Sequence, residues 1–157
     1  QQCLIGKSDL KKKLGKYVIR WGWKKSVDEL LSYWLSCENE KEERIVQNVQ
    51  SLRQKGMQCY LHTNNEKYRT EYLYNGVGLK DYFDGMFSSY KLEAIKPQQE
   101  FWQVVYEKLG KPDTKNVLVW DDDIENVNSA KEFGFQAEHY ITYEEYIKKM
   151  NEFISTR

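Results

Sequence analysis

Val117-Leu-Val-Trp-Asp-Asp-Asp-Ile-Glu-Asn126 is a wholly apolar run that ends abruptly in three consecutive carboxylates. A strand with no polar face suits a parallel sheet, where helices cover both sides. Downstream, the spacing predicts a helix up to Phe133 with Gly134 as its stop, then a strand over 136–141. Thr142-Tyr-Glu-Glu145 reads as a capping box that starts a terminal helix. Upstream, Met57-Gln-Cys-Tyr-Leu-His-Thr63 is of strand length, and Asn64-Asn65 can cap a helix over 66–74. A weaker strand is expected over 85–89. Pro97 suits the first turn of a helix over 98–109, which Gly110 closes. Strand and helix therefore alternate from residue 57 onward. The fold class is α/β, with a Rossmann-like parallel sheet.

The first 53 residues contain no convincing strand. A short helix is expected from a Ser8 cap to a Gly15 stop, and Ser26-Val-Asp-Glu29 opens a second over 27–35. Val27, Leu30, Leu31 and Trp34 would share its apolar face. A third helix, over 40–54, carries Ile45, Val49 and Leu52 and stops at Gly56. Residues 1–40 read as a helical segment and 41–157 as the Rossmann-like part.

The 24 Lys+Arg balance the 24 Asp+Glu, which argues against general nucleic-acid binding, since that draws on a basic excess. No run approaches the roughly 18 apolar residues of a membrane helix. Cys3, Cys37 and Cys59 are odd in number and show no CxxC spacing, as in a reduced, cytoplasmic protein. The first 25 residues carry a net charge of +7. A solvated lysine face is the ordinary explanation, and attraction of an anionic substrate the sharper one.

Ligands of open α/β sheets bind at the carboxyl ends of strands, and three such ends carry chemistry. At the first, the Thr63 hydroxyl and the backbone after Asn64 can form an anion-binding corner, although a plain helix cap explains them equally. At the second, Lys96 before Pro97 can project an ammonium over the sheet edge, where it would neutralise phosphate or hold a carboxylate ionised. At the third, Asp121, Asp122, Asp123 and Glu125 exceed what one helix cap needs. Hard oxygen ligands without Cys or His nearby favour Mg²⁺ over zinc. Asn126 can return to the same side across one helical turn. His62 and His139 read as structural. The absence of a GxSxG elbow, a P-loop and a GxGxxG loop sets aside serine hydrolases, Walker ATPases and dinucleotide enzymes.

In this order, the three sites resemble the motifs of the haloacid dehalogenase-like hydrolase superfamily. The strand ending in Thr63-Asn64 is similar to its second motif, Lys96-Pro97 to its third, and Asp121-Asp122 with Asn126 to its fourth. The likeness covers 41–157, and the helices before it resemble part of the family's small helical cap. It implies a Mg²⁺-dependent phosphatase acting on a small phosphorylated substrate through an aspartyl-phosphate. By the same resemblance, Thr63 and Asn64 hold the phosphoryl group and Lys96 orients the nucleophile. Asp122 with Asp121 binds Mg²⁺, and Asn126 supports that site. The family's Asp-x-Asp nucleophile motif on the first strand has no counterpart here: the only Asp before residue 28 is Asp9, in a lysine-rich helical segment. The expectation is a chain recorded without that central strand and inactive alone, with an exposed inner edge that invites pairing into a homodimer. A non-enzymatic module that binds ligands or partners is the alternative. A receiver-like signalling domain fits less well, since its acidic pair follows the first strand.

Overall fold

The computed structural model describes residues 1–37 and 40–155, and divides into two compact units, Gln1–Ile95 and Lys96–Arg157. Among the described residues, no helix is long and apolar enough to cross a membrane.

The first unit holds helices α1 (Leu10–Leu14), α2 (Val27–Ser36), α3 (Glu43–Gln54), α4 (Lys67–Glu71) and α5 (Ser89–Leu92) with strands β1 (Tyr60–Thr63) and β2 (Gly85–Ser88). β1 and β2 pair in parallel, with Thr63 opposite Ser88. The capping box of α2 forms in full: Glu29 N–H donates to Ser26 Oγ, and Ser26 N–H donates to Glu29 Oε2. Its buried face differs from the expected one. Leu31 and Leu35 are buried, whereas Trp34 is 43% exposed. α1 is capped by Asp9 rather than Ser8, through a 3.0 Å bond from Lys12 N–H. Gly15 stays right-handed there, so it stops nothing by conformation. α3 starts three residues later than its sequence pattern suggests, on a Glu42 cap, and buries Val46, Val49 and Leu52 while Ile45 lies half-buried.

Strand β1 is shorter than the apolar run that announces it. Residues 57–59 stay outside the ladder: Met57 N–H turns back to the Leu52 carbonyl at 3.1 Å, and Cys59 N–H donates to the Asp84 side chain, Oδ2, at 2.7 Å. The other Asp84 oxygen accepts from Arg53 at 2.8 Å, which ties α3 to the start of both strands. These donors hold the Asp84 carboxyl below its ordinary pKa, the Cys59 N–H first among them. The helix expected over 66–74 also differs. It is α-helical only to Glu71, then widens into a π turn, Tyr72–Gly76, and its cap is Glu66.

The second unit holds α6 (Gln99–Lys108), β3 (Leu118–Asp121), α7 (Ile124–Phe133), β4 (Gln136–His139) and α8 (Tyr143–Ser155). β3 and β4 pair in parallel, with Asp121 opposite His139. Pro97 lies one residue before the Gln98 cap of α6, so it does not occupy the helix's first position. Gly134 closes α7 at φ 109°, a left-handed conformation that favours glycine. The unit's core gathers Phe101, Trp102, Val127 and Ala130, each essentially inaccessible, with Phe135 set edge-on to Trp102. Trp120 turns its indole N–H to the Met150 sulfur and its ring edge to Tyr146. A bulky strand end is thereby absorbed by α8.

Candidate active site

β3 delivers Asp121 to the carboxyl end of its sheet, where the chain turns at once into α7. Lys96 Nζ lies 2.5 Å from Asp121 Oδ2, and the two side chains are only 8% and 2% exposed. The other oxygen, Oδ1, accepts from Asp123 N–H at 2.9 Å and from Asn126 Nδ2 at 3.1 Å. Burial pushes the Asp121 carboxyl up. The Lys96 hydrogen bond and charge, with Asn126 and the Asp123 N–H, outweigh it and hold the group below its ordinary value. Asp121 is therefore an ionised carboxylate whose oxygens are already engaged.

Asp122 behaves differently, although it is the next residue. Its side chain is exposed, and its carbonyl meets the His139 ring at 3.0 Å. Asp123, also exposed, caps α7 through Glu125 N–H. Asn126 is 6% exposed, and its Oδ1 is buried without a hydrogen-bond partner. A buried amide oxygen with no donor suits a cation or an ordered water. Among the described residues no three His, Cys, Asp or Glu gather as a metal cluster. Mg²⁺ does not need one, because it takes one or two carboxylates and fills its octahedron with water and substrate phosphate. The Asp122 carboxylate and the Asn126 Oδ1 are donors of that kind.

A network missed in the sequence supports Lys96. The Ser129 hydroxyl donates to the Pro97 carbonyl, and Trp102 Nε1 donates to Ser129 Oγ at 2.8 Å. Gln99 Nε2 adds bonds to the Ser129 carbonyl and hydroxyl at 2.9 and 3.2 Å. The only sequence signal is a serine among the apolar positions Val127 and Ala130 on the buried side of α7. Ser129→Ala strands the buried indole N–H, and is expected to lower the unfolding free energy by about 1–3 kcal/mol in urea melts.

In the first unit, β1 ends at Thr63, whose Oγ1 accepts from Asn65 Nδ2 at 2.6 Å. At the helix start that follows, two backbone donors are already taken. Both Glu66 oxygens occupy the first N–H groups of α4, those of Tyr68 and Arg69, at 2.7 Å. The Thr63 hydroxyl lies at this strand end, and Asn64 follows it. A cavity of about 180 Å³ in the same unit is lined by Ser8, Asp9, Glu66, Tyr68 and Tyr90, among others. Within it Tyr68 donates to Asp9 at 2.7 Å, which pushes the phenol up to about 12. Lys96, Asp121 and Asn126 thus form one buried cluster in the second unit, with Asp122 exposed beside it. Thr63 and Asn64 close a strand of the first.

The first unit thus has a parallel strand that ends in a Thr hydroxyl, and the second a parallel strand that ends in a lysine-bound carboxylate. The family model for haloacid dehalogenase-like hydrolases matches residues 27–134, and the chain belongs to that family. It is similar to a D-ribitol-5-phosphate phosphatase of Bacteroides thetaiotaomicron, 26% identical over 138 residues. That alignment covers 84% of this chain, and the chain spans 65% of the relative's length. The fold is shared with a HAD family enzyme of the same organism, crystallised with magnesium and inorganic phosphate. The TM-score there is 0.76 at 22% identity, over 90% of this chain and 74% of that one. A HAD-like family hydrolase from Porphyromonas gingivalis has a TM-score of 0.76 at 19% identity, covering 98% of this chain and 77% of that one.

Proposed function

We propose that the chain belongs to a Mg²⁺-dependent, cytoplasmic small-molecule phosphatase, with residues 1–40 as a cap segment and 41–157 as the Rossmann-like part. The observation that carries this reading is the buried Lys96–Asp121–Asn126 cluster, with the Asp122 carboxylate exposed beside it at the end of β3. A phosphatase relative, and a structural neighbour crystallised with magnesium and phosphate, support it.

Asp122 and Asn126 Oδ1 would hold Mg²⁺, which supplies positive charge to the phosphoryl oxygens. Asp121 serves as the anchor that fixes Lys96 and Asn126, not as the first metal ligand. Lys96 donates to Asp121 through its ammonium. Thr63 and the Asn64 backbone would hold the phosphoryl group. The reaction needs a carboxylate that bonds to phosphorus as the ester P–O bond breaks, followed by attack of water on the acyl phosphate. β1 pairs only with β2, and β3 only with β4, among the described residues. The polar cavity around Asp9, Glu66 and Tyr68 suits a hydroxylated organic group, as in a sugar phosphate.

The test is hydrolysis of an aryl phosphate by the 157-residue chain, alone and fused behind an apolar strand ending in Asp-x-Asp. The expected result is no turnover alone, and turnover only with Mg²⁺ in the fusion. Turnover by the chain alone, or a fusion indifferent to Mg²⁺, overturns the assignment of roles.

A further inference from the structure

The Thr63 hydroxyl carries a polarity that its own sequence context does not set. A hydroxyl has one proton to give and two lone pairs to receive with. In the structure Asn65 Nδ2 donates to Thr63 Oγ1 at 2.6 Å, so an amide N–H fills one lone pair. The Asn65 residue is itself held. Its carbonyl accepts from the Thr70 hydroxyl at 3.2 Å, from the Ser89 hydroxyl at 3.2 Å and from Tyr90 N–H at 3.3 Å. Thr70 and Ser89 have no exposed surface, so the anchor is built into the core of the unit beneath the β1 end.

We propose that Asn65 is a positioning residue that fixes Thr63 as a hydrogen-bond donor to an anionic oxygen. With one lone pair taken by the amide, the hydroxyl directs its proton away from Asn65. An oriented O–H donor favours a phosphoryl oxygen, because the orientation is set before the anion arrives. Without Asn65 the hydroxyl rotates freely and must be ordered on binding. This inference rests on the reading of Thr63 as a phosphoryl-binding group. It adds a residue whose side chain is two positions away from it in sequence.

The experiment is titration of the 157-residue chain with inorganic phosphate, followed by the Thr63 and Asn64 amide resonances. Asn65→Ala is expected to weaken phosphate binding roughly fivefold, the scale of one neutral hydrogen bond. Asn65→Asp keeps the shape but presents an acceptor that draws the Thr63 proton to itself, and is expected to weaken binding more than Asn65→Ala. Asn65→Ser, which keeps a donor, recovers part of the loss and covers the case of a poorly folded alanine variant. In a Thr63→Val background, Asn65→Ala is expected to cost nothing further, a result that a merely structural asparagine would not give. If Thr63→Val weakens binding while Asn65→Ala and Asn65→Asp both leave it intact, the positioning role is overturned and the phosphate site stands. If Thr63→Val leaves binding intact, or the chain binds no phosphate, the phosphate-site reading falls and the positioning role with it.

Discussion

Lys96→Met is expected to destabilise the protein by about 3–5 kcal/mol near neutral pH, because it leaves Asp121 charged, buried and without its cation. Both side chains are more than nine-tenths buried, so solvent cannot screen the loss. Native proteins are stable by only about 5–15 kcal/mol, and urea denaturation should show the variant losing much of its margin. The pH dependence gives the mechanism. In the wild-type chain the Asp121 carboxyl is held below its unfolded value of 3.8. A depressed carboxyl contributes stability that is present above the unfolded pKa, and the contribution is lost as pH falls through the folded one. In Lys96→Met, burial acts unopposed by the ammonium, and the folded Asp121 pKa rises. Such a group penalises the folded state above the unfolded pKa and is relieved in acid. The difference between wild type and variant should therefore shrink as pH is lowered from neutral towards 4 (about the pKa of an unperturbed Asp). A gap that stays constant over that range would mean that the ion pair is not what Lys96 contributes. Replacing both partners, as in Lys96→Met with Asp121→Leu, should restore much of the stability while leaving no site.

The parts of the fold legible in the sequence were those set by local chemistry. The apolar run into Asp121, the Gly134 stop and the Ser26–Glu29 box each use a short-range rule, and each is found close to its expected place. The misplaced parts depend on distant side chains. Residues 57–59 look like strand, yet Met57 turns back to the end of α3 and Cys59 bonds the Asp84 carboxylate that Arg53 holds. Asn64-Asn65 look like caps, yet Glu66 reaches its own helix N–H groups first and releases Asn65 to grip Thr63. The face of α2 shifts from Trp34 to Leu35, a choice that helical periodicity leaves open at the edge of an apolar stripe. At the site Asp121 was legible at its strand end and Asn126 in the first turn of the helix after it, whereas Lys96, expected at a strand end, lies in the connection between α5 and α6. The sequence could not divide labour between neighbouring carboxylates, since which of Asp121 and Asp122 turns inward depends on where Lys96 lies.

That division leads to the second large effect. Asp122→Ala is expected to abolish the response to divalent cations and leave stability within about 0.5 kcal/mol of wild type, because the side chain is exposed and supports no packing. Asp121→Ala should do the opposite first. It removes the anion beneath Lys96 and the acceptor of Asn126 Nδ2, so it costs about 3–5 kcal/mol, and cation binding weakens as a consequence. Asp121→Asn separates charge from shape. It keeps an oxygen for Asn126 and Asp123 N–H but gives Lys96 no counter-charge, and should weaken the cation roughly 10–100-fold, as loss of an outer-shell partner does. Manganese, a paramagnetic substitute for Mg²⁺, reports binding by broadening the Asn126 side-chain amide signal. In wild type that signal should broaden at low Mn²⁺ and recover when excess Mg²⁺ competes. In Asp122→Ala it should stay sharp in a protein that melts normally. If instead Asp122→Ala broadens like wild type and Asp121→Asn alone stays sharp, Asp121 is the metal ligand and the anchoring role passes to Lys96 and Asn126.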